Sequence, residues 1–173
     1  MLVAEQLAPQ PGETILDLCA APGGKSTHLA ALMRNEGVLI CNEIHPRRVW
    51  ELAENLERSG IRNAAITHSS PELLAQHFGP IFDRVLVDAP CSGEGMFRKS
   101  QTACQEWSPE LVQHCALRQK AIVDQAVKLV KPGGMLAYST CTFNPDENEA
   151  VIAYLLERNP QLGSRGEVGH VQF

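Results

Sequence analysis

Two apolar runs that each end in cysteine constrain this chain most. One reads Val85-Leu86-Val87-Asp88-Ala89-Pro90-Cys91, the other Met135-Leu136-Ala137-Tyr138-Ser139-Thr140-Cys141. Short apolar runs bounded by Pro and Gly read as strands of a parallel sheet, buried on both faces. Ligands of such sheets sit beyond the carboxyl ends of the strands. Both sulfurs are therefore expected at one crevice, although they lie far apart in sequence.

Strand-like and helix-like segments alternate along the whole chain. Thr14 to Cys19 reads as a strand, followed by a Pro-Gly-Gly turn and a helix from about Ser26 to Arg34. Gly37 to Asn42 is a second strand. The next helix, about Arg47 to Ser59, puts Val49, Leu52, Ala53 and Leu56 on one face and stops at Gly60. Ala64 to Thr67 is a third strand, Pro71 opens a helix, and Phe82 to Asp88 is the fourth strand.

A polar loop from Ala89 to Trp107 follows. Ser108 caps a long helix with Pro109 in its first turn, running to about Val130, where Lys131-Pro132-Gly133-Gly134 ends it. Met135 to Ser139 is a fifth strand. Asn144-Pro145-Asp146-Glu147 opens the last helix, to about Arg158, with its acids at the positive end of the dipole. The order implies an α/β fold, a mostly parallel sheet with helices on both faces. Residues 1–160 form the core, and 161–173 read as an irregular tail with at most a remnant strand from Val168. The first ten residues read as the tail of a helix, so the chain is expected to be a fragment.

Composition narrows the partners. At 173 residues, 44% hydrophobic and 20% charged, the chain has the make-up of a soluble globular domain. No apolar run approaches the roughly 20 residues that cross a bilayer, and the start lacks a signal peptide. The six cysteines form no Cys-x-x-Cys pair and no zinc-spaced cluster with histidine. The expectation is a cytoplasmic protein with free thiols and no metal. A net charge of −5 argues against a strongly basic nucleic-acid surface, yet leaves nucleic acid open as a substrate.

The first turn, Cys19-Ala20-Ala21-Pro22-Gly23-Gly24-Lys25-Ser26, admits three readings. Gly24-Lys25-Ser26 matches the end of a phosphate-binding P-loop, but its first glycine would fall on Cys19. The dinucleotide fingerprint Gly-x-Gly-x-x-Gly is absent. The third reading is an S-adenosylmethionine site, in which small residues admit the cofactor and a helix N-terminus faces its carboxylate. Glu43 favours it, because an acid ending strand two can accept both ribose hydroxyls.

The cysteines then suggest a reaction. Cys41, Cys104 and Cys115 read as inert, and Cys19 as small packing in the turn. Cys91 and Cys141 follow strands at the ligand edge. Methyl transfer to nitrogen or oxygen needs no protein nucleophile, whereas carbon-5 of a pyrimidine does. A thiolate that adds at carbon-6 makes carbon-5 nucleophilic; a base then removes the carbon-5 proton and the thiolate leaves. Asp88 is placed to stabilise the adduct at N3 and the exocyclic nitrogen.

Ile15 through Lys25, Asp88 through Lys99 and Tyr138 through Phe143 together resemble the Fmu/Sun family of RNA cytosine-C5 methyltransferases. The run Gly93-Glu94-Gly95-Met96-Phe97-Arg98-Lys99 is most similar to the RsmF-like bacterial rRNA branch. The resemblance implies a class I S-adenosylmethionine-dependent methyltransferase fold and an RNA substrate, small-subunit rRNA foremost. It implies that Cys141 is the nucleophile, that Cys91 helps release product, and that Asp88 is the acid of the fourth motif. Cys19 through Lys25 become the cofactor loop and Glu43 the ribose acid, with Lys25 and Arg48 near the site.

Ser69 and Ser70 stand where the family carries an acid beside the adenine, so Ser70 is the candidate there. The family's N-terminal RNA-binding segment is not seen, and the implied activity of this polypeptide alone on free RNA is weak or nil. Two other readings stand beside this one: an exocyclic-amine nucleic-acid methyltransferase using Asp88-Ala89-Pro90-Cys91, and a truncated, non-catalytic nucleotide-binding domain.

Overall fold

A computed structural model describes residues 2–163. The five strands are β1 (Thr14–Asp17), β2 (Val38–Asn42), β3 (Ala64–Thr67), β4 (Phe82–Asp88) and β5 (Val130–Ser139), in the sheet order β3-β2-β1-β4-β5. β1 pairs in parallel with β2 and β4, and β2 with β3. The helices are α1 (Leu2–Leu7), α2 (Gly24–Leu32), α3 (Pro46–Arg58), α4 (Pro71–Phe78), α5 (Gln101–Glu106), α6 (Pro109–Ala126) and α7 (Glu149–Arg158). No described helix is long and apolar enough to cross a membrane.

The described residues fall into two compact units, 2–88 with 125–138 and 89–124 with 139–163. In the first, Ile15, Leu39 and Leu86 are fully buried in the sheet and pack with Leu7, Leu29, Met33 and Leu52. β3 lies at the sheet edge, and its two middle residues are exposed. In the second unit, α6 buries Val112, Cys115, Ala116, Gln119, Ile122 and Val123 at three- and four-residue spacing, the stripe of an amphipathic helix. Tyr154 on α7 donates its hydroxyl to Asp124 Oδ2 at 2.7 Å.

Three sequence expectations need correction. The polar stretch 89–107 is not all loop: Glu94–Met96 forms a 3₁₀ turn, and Ser100 caps α5 by accepting from Ala103 N–H at 3.2 Å. α6 ends at Ala126 rather than Val130, and β5 begins at Val130 rather than Met135. The Pro-Gly-Gly stop is overridden because Lys131 pairs with Asp83, and Gly134 lets the backbone run close to Asp83 O, 2.8 Å from where a Cβ would sit. α7 starts at Glu149 and not at Asn144, since Glu147 is buried and takes hydrogen bonds from other segments. The strand expected from Val168 lies outside the described residues. Ser108 does cap α6, accepting from Leu111 N–H at 3.1 Å.

Gly37 shows how tightly the entry to β2 is built. Its φ is +79°, and a Cβ there would lie 2.3 Å from Glu13 O, the acceptor of the Val38 N–H at the start of the β1–β2 pairing. Gly37→Ala is expected to lower unfolding free energy by about 1–3 kcal/mol from the backbone conformation alone, with more from the clash. Urea denaturation of the variant against the parent measures it, and equal stability would show that the turn relaxes freely.

Candidate active site

The first unit carries the glycine turn. Past β1, Leu18 N–H donates to Leu86 O at 2.9 Å and Ala20 N–H to Asn42 O at 2.8 Å, so the chain stays tied to both neighbouring strands. Gly23 N–H closes the turn on Ala20 O at 2.8 Å. Gly23 has φ +107°, and a Cβ would meet Leu52 Cδ1 at 3.1 Å, so this position admits glycine on both counts. It is the N-cap of α2 and supplies no side-chain acceptor, so the first amides of that helix have no capping side chain.

Four polar groups surround this turn. Arg48 Nη2 donates to Ala21 O at 2.6 Å, and its Nη1 lies 3.3 Å from Glu43 Oε2. Glu43, only 3% exposed, also accepts the His45 N–H at 2.9 Å through Oε1. Asn55 Nδ2 donates to Pro22 O at 2.7 Å. Lys25 Nζ, at the start of α2, donates to Asp88 Oδ2 at the end of β4 at 2.6 Å. Cys19 is half-buried, and burial, helped by the Asp17 and Glu43 carboxylates, pushes its thiol up, which suits packing and not nucleophilic attack. The Ser70 hydroxyl is engaged locally, where its Oγ caps α4 by accepting from Leu73 N–H at 3.4 Å.

Two residues escaped the sequence reasoning. Asn42 links three strand ends: its Nδ2 donates to Leu18 O at 3.1 Å and Ser69 O at 3.0 Å, while its Oδ1 accepts from Thr67 Oγ1 at 2.9 Å and Ser69 N–H at 3.1 Å. Asp17 is fully buried under the turn. Its Oδ2 accepts from Ser26 Oγ at 2.7 Å and its Oδ1 has no partner. Burial raises its pKa from 3.8 to about 7, against the Ser26 hydrogen bond; the Asp88 and Glu43 charges add to the rise and Lys25 opposes it. An acid inside the apolar run Ile15-Leu16-Asp17-Leu18 was the available signal.

The second unit carries the two thiols, and there the expectation that they meet is fulfilled. Cys91 Sγ and Cys141 Sγ are 3.0 Å apart, and Cys141 N–H points at Cys91 Sγ at 3.3 Å. The loops bearing them are stitched by Ala89 N–H to Ser139 O at 2.8 Å and Gly95 N–H to Cys141 O at 2.9 Å. Glu94 holds the far side, accepting Phe143 N–H and Trp107 Nε1–H, each at 3.2 Å. The hydrogen bond to Cys141, with burial behind it, pushes the Cys91 thiol up, while the Cys141 N–H aimed at its sulfur works the other way. Cys41 and Cys115 are buried, but Cys104 is exposed, so its expected inertness cannot come from burial. No group of three or more His, Cys, Asp or Glu among the described residues could hold a metal ion.

Comparison with known proteins gives a consistent picture. The family described as 16S rRNA methyltransferase RsmB/F matches residues 4–167. A ribosomal RNA small subunit methyltransferase F from Escherichia fergusonii is 45% identical over 159 residues, 92% of this chain and 33% of that protein. The chain thus spans about a third of the length of the curated relatives it matches. NSun6 from Pyrococcus horikoshii, solved with SFG, superposes with a TM-score of 0.83 at 31% identity, over 91% of this chain and 40% of that one. A methyltransferase homologue from the same organism gives a TM-score of 0.77 at 37% identity, covering 89% and 48%.

Asp17 makes stability depend on pH. Folded Asp17 holds its proton up to about pH 7, whereas the unfolded chain releases it near 3.8. Its contribution is therefore complete below the unfolded value and is lost as pH rises through the interval, by about 1.4 kcal/mol per pH unit. Urea denaturation at pH 5 and pH 7.5 is expected to show the parent losing stability relative to Asp17→Asn by on the order of 3 kcal/mol. A constant difference between the two would mean that Asp17 is ionised throughout.

Proposed function

The chain belongs to the 16S rRNA methyltransferase RsmB/F family, and from that premise we propose that it is the catalytic core of an enzyme that methylates carbon-5 of a cytosine in small-subunit rRNA. Its fold is that of the class I S-adenosylmethionine-dependent methyltransferases, with sheet order β3-β2-β1-β4-β5. The NSun6 relative was solved with SFG, an S-adenosylmethionine analogue, and S-adenosylmethionine is the donor we assign here.

The residues of the first unit fit that cofactor. The amides that open α2 lack a side-chain cap and suit a carboxylate, while Asp17 Oδ1 is a buried acceptor still without a donor. Glu43 suits the ribose hydroxyls, with Arg48 fixing its carboxylate against the loop of Cys19 to Lys25. The Ser70 oxygen caps α4 as an acceptor, which leaves its O–H to donate to the adenine edge. Bound there, the cofactor supplies an electrophilic methyl group.

The protein's own work is to make a cytosine carbon nucleophilic. Cys141, as thiolate, adds to carbon-6 and pushes electron density to carbon-5. Asp88 is the acid we assign to the N3 and exocyclic-nitrogen edge, giving N3 a proton as the addition drives negative charge onto the ring, and Lys25 fixes its orientation. A base then takes the proton from carbon-5, the carbon–sulfur bond breaks, and Cys141 is restored. Cys91 assists that release. The observation that carries this reading is the 3.0 Å approach of the two sulfurs, which lets one add to the ring while the other holds a proton. Methylation of an exocyclic amine would leave both thiols unused.

Cys141→Ala is expected to cut methyl transfer to rRNA by about 10³-fold or more while S-adenosylmethionine binding by calorimetry stays unchanged. Cys91→Ala should instead accumulate a covalent protein–RNA adduct, read as a shifted band on a denaturing gel. Adduct formation that depends on Cys91 and not Cys141 would reverse the two roles. Full activity without Cys141 would favour the exocyclic-amine reaction.

A further inference from the structure

We infer that Glu147 is a positioning residue that sets the register of the two thiols, an inference that rests on the cysteine-adduct reading only for its consequence in turnover. Glu147 is fully buried. Its Oε2 accepts Ser92 N–H at 3.0 Å and Gln119 Nε2–H at 2.8 Å, and its Oε1 accepts the Ser92 hydroxyl. Gln119, also fully buried, gives a second hydrogen bond to Pro90 O at 3.0 Å. The residues on both sides of Cys91 are thus held by one carboxylate and one amide.

The same carboxylate fixes the other loop. Ser92 Oγ lies 3.1 Å from Thr142 Oγ1, next to Cys141. Because Ser92 spends its proton on Glu147, Thr142 has to be the donor in that contact, which gives the hydroxyl chain one direction. Glu147 itself lies six residues after Cys141, so it closes a ring from the Cys141 loop through Glu147 and Ser92 to Cys91.

A buried charge is stable only when donors replace its water. Three donors converge on the two oxygens of Glu147, which suits an acceptor-only carboxylate. Glutamine at this position would turn an NH₂ group toward at least one of those donors. Glu147→Gln therefore removes the register with little change of volume. Ser92→Ala is milder, because the backbone N–H bond to Glu147 survives and only the hydroxyl link is lost.

The experiment is iodoacetamide alkylation of the reduced chain between pH 6 and 9, read for Cys91 and Cys141 separately by peptide mass spectrometry, beside thermal unfolding and methyl-transfer kinetics. Alkylation follows the thiolate, and two sulfurs in contact do not ionise together, so the parent is expected to label one of the two about tenfold faster than the other, with half-labelling at a lower pH. In both variants the ratio should fall toward one and the two pH midpoints should converge. kcat should fall about tenfold or more while KM for S-adenosylmethionine is unchanged.

A lowered Tm with the parent's labelling ratio intact would reduce Glu147 to a structural residue and overturn the proposal, as would equal labelling in the parent. If Glu147→Gln does not fold, Ser92→Ala decides the matter by the same ratio. A parent that labels selectively, and loses selectivity in the variants, yet binds no S-adenosylmethionine by calorimetry would uphold the positioning role and reject the methylation reading.

Discussion

Taking a carboxylate out of water costs several kcal/mol unless donors or cations take the water's place, and this chain does so at three places that organise everything around them. Asp17 lies under the glycine turn with a single hydroxyl donor, and the shortfall is visible as a proton held up to about pH 7. Glu43, at the end of β2, has an amide and a guanidinium. Glu147 has a backbone amide, a hydroxyl and a side-chain amide. The graded supply of donors separates their roles. A saturated acid is a fixture, and an undersupplied one still has room for a partner. By that measure Glu147 suits a scaffold role, and the proposed binding roles fall to the less fully supplied Asp17 and Glu43.

Much of the fold was legible because its signals are local. β3 and β4 fall on the residues expected, and Pro71, Ser108 and Pro109 open their helices as their chemistry dictates. What could not be read depends on groups far away in sequence. The Lys131-Pro132-Gly133-Gly134 stop became part of β5 because Asp83 binds Lys131, a contact across 48 residues that no propensity encodes. Asp146 and Glu147 looked like acids of a first helical turn, the usual reading of Asn-Pro-Asp-Glu. Tertiary demand won: Ser92 and Gln119 needed an acceptor, and the helix starts at Glu149, beyond both acids.

The site was legible unevenly, for a related reason. Cys91 and Cys141 could be brought together from strand endings alone, since the order of a parallel sheet fixes which loops meet. Their separate roles came from the family resemblance. Physics adds only that two sulfurs in contact do not both lose a proton at ordinary pH, so the pair divides into one thiolate and one thiol. Asn42 and Asp17 stayed hidden because a polar residue inside an apolar run looks like an interruption, and only the neighbouring strands reveal what it bonds. Ser70 is the opposite case: its capping of α4 is signalled by the Ser-Pro pair that opens the helix.

The pairing of Lys25 with Asp88 shows how a single contact can serve both fold and chemistry. It fastens the N-terminus of α2 to the end of β4 at 2.6 Å, which steadies the turn between β1 and α2. It also orients Asp88 through a cation that stands at the positive end of a helix, where a lysine gains nothing from the dipole. Such a lysine is placed against its own helix's preference, and the carboxylate opposite supplies the compensation. Local inconsistency of this kind is tolerated because a distant partner repairs it, and Arg48, in the first turn of α3, is repaired in the same way by Glu43.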